Sequence, residues 1–102
     1  MKYQTPILTA ILANLIKQSE ADGRPHSTTL PRGLLVEIDA RPSKFTLRTW
    51  RPQLTPDPKE WQTCFDMLPT NYRCATRPTP VDYFFDGKIV LSASWSAPLT
   101  LL

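Results

Sequence analysis

The stretch from Leu34 to Arg51, LLVEIDARPSKFTLRTWR, constrains the fold more than any other part of the chain. Leu34, Val36, Ile38 and Ala40 alternate with Leu35, Glu37 and Asp39. Beyond Arg41-Pro42-Ser43 the alternation resumes, with Phe45, Leu47, Thr49 and Arg51 on one side and Lys44, Thr46, Arg48 and Trp50 on the other. A side-chain period of two marks a strand with one buried face, and turn residues between two such runs predict an antiparallel hairpin. Setting Ile38 opposite Phe45 pairs Val36 with Leu47 on the apolar face. The opposite face then pairs Asp39 with Lys44, Glu37 with Thr46 and Leu35 with Arg48. A slip of one residue would turn every apolar side chain to water. In this register Asp39 partly neutralises Lys44, and Arg48, Trp50 and Arg51 are left as a polar–aromatic group.

Helices are expected on either side of this hairpin. Thr5 can cap and Pro6 suits the first helical position, where no backbone donor is needed. Ile7, Leu8, Ile11, Leu12, Leu15 and Ile16 then recur at helical spacing up to the Asp22-Gly23 stop, which predicts a helix over 5–21. Downstream, Asp57-Pro58 with Glu60 is a helix start, with Asp57 as cap and Glu60 as its three-residue partner. Trp61, Cys64, Phe65 and Leu68 fall on one face before Pro69, predicting a helix over 58–68. Residues 24–32, RPHSTTLPR, read as a long loop carrying the single histidine, His26. Tyr72–Thr76 can form a short strand limited by Pro78 and Pro80. Asp86-Gly87 between two β-rich runs signals a second hairpin, with Phe84 opposite Ile89 and Tyr83 opposite Val90. The expected fold is α+β, a two-layer sandwich in the order α-β-β-α-(β)-β-β. Its antiparallel sheet has four or five strands, with both helices on one face. A length of 102 residues fits one domain over 1–102.

Known chemical patterns are mostly missing. One histidine and two cysteines ten residues apart match no zinc spacing. The three glycines, 23, 33 and 87, each have a turn to explain them, so no phosphate loop is written in the chain. Cys64 lies on the apolar face of the second helix and reads as a small buried hydrophobe. Cys74, between Arg73 and Arg77, would hold a more reactive thiolate if exposed. Glu37 and Asp39 share a strand face as a carboxylate pair, offset by Lys44 and Arg48. No enzyme activity, metal, cofactor or small-molecule ligand is expected. No apolar run approaches the length of a membrane span and no signal peptide is evident near Lys2–Pro6, so a cytoplasmic protein without a membrane partner is expected.

Two functional readings follow. Net charge is only +3, but residues 24–53 hold six basic side chains against two acidic ones, a local charge of +4. Arg41, Lys44, Arg48, Trp50 and Arg51 therefore form a candidate anion- or nucleic-acid-binding strand, combining cations with an aromatic ring. The first helix carries a wide apolar stripe and the chain ends on Trp95, Leu99, Leu101 and Leu102. Apolar groups left over from a small core mark interfaces, and these form a candidate surface for a protein partner or a second copy. A small accessory protein acting through protein contact is the leading expectation, and nucleic-acid binding is the alternative.

Overall fold

The computed structural model describes residues 5–41, 43–52 and 54–97. The elements run α1 (Thr5–Asp22), β1 (His26–Thr29), β2 (Leu35–Arg41), β3 (Lys44–Trp50), α2 (Pro58–Asp66), β4 (Val81–Phe85) and β5 (Lys88–Trp95), with short 3-10 turns at Pro31–Gly33 and Thr70–Tyr72. The five strands make one antiparallel sheet in the order β1-β2-β3-β5-β4. Both helices lie on one face, giving the α+β sandwich that the alternation implies.

The helices form where the periodicity places them. α1 buries Leu8, Leu12, Leu15 and Ile16 against β1 and β2. It stops at Gly23, whose N–H donates to the Ser19 carbonyl at 2.8 Å and whose φ of 69° turns the chain out of the helix. The Thr5 side chain expected as its cap lies outside the described ones. α2 starts at the Asp57 cap, where the carboxylate accepts from the Lys59 N–H at 2.9 Å. It buries Trp61, Cys64 and Phe65 over β3 and β5. The fully enclosed Trp61 indole donates to the Leu47 carbonyl at 2.9 Å, so its polar atom enters the core with a partner. The core is the layer between: Val36, Ile38, Ala40, Phe45, Leu47 and Leu91 beneath, the helix side chains above.

Three local expectations are corrected. Residues 26–29 are not loop but the edge strand β1, pairing His26 with Ile38 and Thr28 with Val36. Its inward positions are His and Thr, so no apolar alternation announces it. Tyr72–Thr76 is not a strand: a 3-10 turn ends at Tyr72, and irregular chain follows. The β2–β3 register is displaced by two residues, pairing Ile38 with Leu47, Ala40 with Phe45 and Glu37 with Arg48. A shift of two keeps every side chain on its expected face, so the core pattern alone cannot choose between the registers. The observed one puts small Ala40 against Phe45, whose ring meets Tyr72 and Trp95 at centroid distances of 5.5 and 5.2 Å. It also brings the Arg48 guanidinium to Glu37 at 2.8 Å. Ala40 extends past the end of β1, and there the buried Ser19 hydroxyl of α1 accepts its N–H at 2.8 Å.

Candidate protein-interaction site

The β4–β5 hairpin forms as the Asp86-Gly87 pair dictates. Both turn residues have positive φ, 53° and 77°, and the pairing is Phe84 with Ile89 and Tyr83 with Val90, as expected. β5 lies between β3 and β4, so Val90 and Leu91 are buried on opposite faces. β4 is the last strand of the sheet, beyond the cover of either helix, and all five of its residues are exposed.

What it exposes is unusual for an edge. Val81, Tyr83 and Phe85 project on the helix-free face, and Phe84 projects on the helix face beside exposed Ile89. Phe84 is 73% and Val81 63% exposed. Tyr83 and Phe85 stack with ring centroids 6.0 Å apart, and the Arg48 guanidinium sits 5.7 Å from the Tyr83 ring centre. A cation over an aromatic face holds that ring in place without covering its free side. Asp82 is the one charged residue in the strand. Edge strands ordinarily guard themselves with charge, shortness or cover. The other edge does so: β1 is four residues of His, Ser and Thr, with the His26 ring bonded to Asp22 at 2.7 Å.

The basic strand is organised differently from the sequence expectation. Lys44 is exposed, and Arg41 pairs with Asp39 at 3.0 Å. Arg48 pairs with Glu37, and the same contacts engage both members of the expected carboxylate pair. Arg51 leaves the strand and binds the Glu60 carboxylate of α2, with Nε–Oε1 at 3.1 Å, and the Arg32 carbonyl. Trp50 is only 7% exposed, with the Lys88 ammonium 5.1 Å from its ring centre. Arg48 and Trp50 therefore share a face, while Arg51 braces the start of α2. Trp95, expected at an interface, instead packs among Phe45, Trp61 and Phe65 and donates to the Tyr72 carbonyl at 2.8 Å. Its strand position places it under α2, where the core needs a large ring. Leu99, Leu101 and Leu102 lie outside the described residues.

Both cysteines are free thiols. Burial, with the Glu60 charge nearby, pushes Cys64 up to about 12, so it stays protonated and inert. Cys74 borders an open cleft of about 450 Å³ lined by Phe65, Asp66, Thr70, Arg73, Ala75 and Arg77. Burial raises its pKa too, opposing the activation that two neighbouring arginines would bring. Those arginines are engaged elsewhere, Arg77 with Asp66 at 2.9 Å and Arg73 with the Thr70 hydroxyl at 3.0 Å. Among the described residues no three His, Cys, Asp or Glu side chains are grouped to hold a metal, and no helix is long and apolar enough to cross a membrane.

The β4 edge was legible as a hairpin but not as a surface. The signal lay in its composition: in VDYFF the polar positions of an alternating strand are filled by aromatics on both sides. Compared with protein-family models, curated proteins and solved structures, the chain matches none.

Proposed function

We propose that this is a small, non-enzymatic accessory protein that works through protein–protein contact, and that the contact is made by the β4 edge with its exposed aromatic rows. The observation that carries this reading is that all five β4 residues are exposed and four are apolar. Contiguous apolar surface of this kind marks interaction sites, and a free strand edge adds backbone hydrogen bonds to the recognition. A cytoplasmic setting belongs to the reading, since two free thiols fit a reducing compartment.

The pairing of Arg48 with Glu37 and the burial of Trp50 favour this over nucleic-acid binding through 44–51, because phosphate contacts need free cations and stacking needs an open ring. A photo-crosslinking residue placed at Phe84 is expected to give a discrete, saturable protein adduct in the native host, while the same residue at Lys44 gives none. Equal, diffuse labelling from both positions would overturn the reading. So would salt-sensitive oligonucleotide binding that disappears in Arg48→Ala, which would assign the strand to nucleic acid instead.

A further inference from the structure

The geometry points to a second copy of this chain as the occupant of the β4 edge, paired antiparallel with Tyr83 on the twofold axis; this rests on the protein-contact reading above. The argument begins with parity. In a two-residue hairpin the residues flanking the turn exchange hydrogen bonds, so Phe85, Tyr83 and Val81 direct their backbone groups to β5. Asp82 and Phe84 direct theirs to the open edge. Two identical antiparallel edges are related by a twofold perpendicular to the sheet, which keeps like face with like face. Every opposed pair must then share a face, and only registers centred on a residue are allowed.

The usable window is short. Pro80 lacks an N–H at one end, and Asp86 turns away at the other with a φ of 53°. Three centres fit within it, and charge separates them. Centring on Asp82 sets two carboxylates face to face. Centring on Phe84 leaves Val81 unpaired and brings each Asp82 up to the partner's turn, where Asp86 sits. Centring on Tyr83 opposes Val81 with Phe85, Tyr83 with its own symmetry mate, and Asp82 with Phe84, with no like charges opposed. Like charges directly across a strand pair are destabilising, whereas aromatic and β-branched pairs are favourable. This centre also uses all five residues of both strands. The Asp82–Phe84 pairs become the hydrogen-bonded ones, and the two sheets join into ten strands.

Taking an aromatic side chain at about 200 Å², the exposed apolar side chains of β4 offer roughly 400 Å² per copy. With the two backbones added, the contact covers at most about 1,000 Å² in total, since the rings stand off the sheet and a neighbouring strand covers only their flanks; this is below the size of stable specific interfaces. Assembly is therefore weak and depends on concentration.

The test uses the full chain with Cys74→Ser. Sedimentation velocity over a concentration series is expected to show a monomer–dimer equilibrium. Phe84→Glu sets two acidic pairs at the seam and weakens dimerisation about tenfold or more, whereas Phe84→Lys sets two Asp–Lys pairs and leaves affinity within about threefold or tightens it. Tyr83→Cys, at a close non-hydrogen-bonded pair, forms a disulfide-linked dimer about tenfold faster than Phe84→Cys. A monomer at every concentration overturns the proposal. Equal loss in both charge variants, or equal cross-linking by both cysteines, overturns it as well. A monomer that still gives a discrete Phe84 photo-adduct with a different protein refutes the self-pairing and leaves the protein-contact reading standing.

Discussion

Ser19 shows how much one hydroxyl can carry. It sits on the apolar stripe of α1, wholly buried, and accepts the Ala40 N–H that β1 is too short to satisfy. Ser19→Ala removes an acceptor and leaves a buried donor unpaired, an expected loss of about 1–3 kcal/mol. Urea unfolding would read it as a lower midpoint with an unchanged slope. A change under about 0.5 kcal/mol would mean that the N–H finds another partner. Nothing in the sequence distinguishes Ser19 from a surface serine, because its role depends on β1 stopping short of Ala40, a residue 21 positions further along the chain. Cys64 is the opposite case: its place on a three- and four-residue apolar spacing was enough to foresee a buried thiol.

At the scale of elements, the chain is readable where a turn leaves one answer and less so where it leaves two. Asp86-Gly87 allowed one register for β4 and β5, and the pairing is the expected one. The turn after Arg41 did not, because a two-residue shift preserves both faces of the hairpin. The selecting interactions are a small-against-large pair, Ala40 and Phe45, and a cross-strand ion pair, Glu37 and Arg48. Both partners of that ion pair are partly shielded from water, with side-chain exposures of 19% and 26%. A double-mutant cycle with Glu37→Gln and Arg48→Met is expected to give a coupling of about 1 kcal/mol. A coupling indistinguishable from zero would contradict the pairing. β1 stayed hidden because an edge strand of Ser, Thr and His carries neither alternation nor bulk. The prominence of β4 as a surface was hidden for another reason: the same aromatics would have read as core had a third helix covered them.

The molecule as a whole is tied together through Tyr72. Its ring packs on Phe45 of β3, its carbonyl accepts the Trp95 indole of β5, and its hydroxyl donates to Glu20 of α1 at 2.7 Å. Burial first, then the hydrogen bond and charge of Glu20, raise this phenol from 10.0 to about 12. The folded state holds the proton more tightly than the unfolded chain. The stabilisation is therefore complete below the unfolded value and is lost as pH climbs from 10.0 to about 12. The stability gap between the wild type and Tyr72→Phe should narrow across that window, measured by denaturant midpoints at increasing alkalinity. A gap that stays constant would mean that the hydroxyl titrates alike in both states. The sequence placed Tyr72 among strand residues and Trp95 at an interface; the packing joins them, since the chain between them brings β5 back beneath the 3-10 turn.

The unlike margins of the sheet have a consequence for growth. A molecule sticky at both rims would stack without end into a fibre. Here only one rim is aromatic, and the other offers hydroxyls and an imidazole–carboxylate contact. On the pairing proposed for β4, head-to-head union would cover the one aromatic rim of the described sheet, and association through that rim would close at a pair.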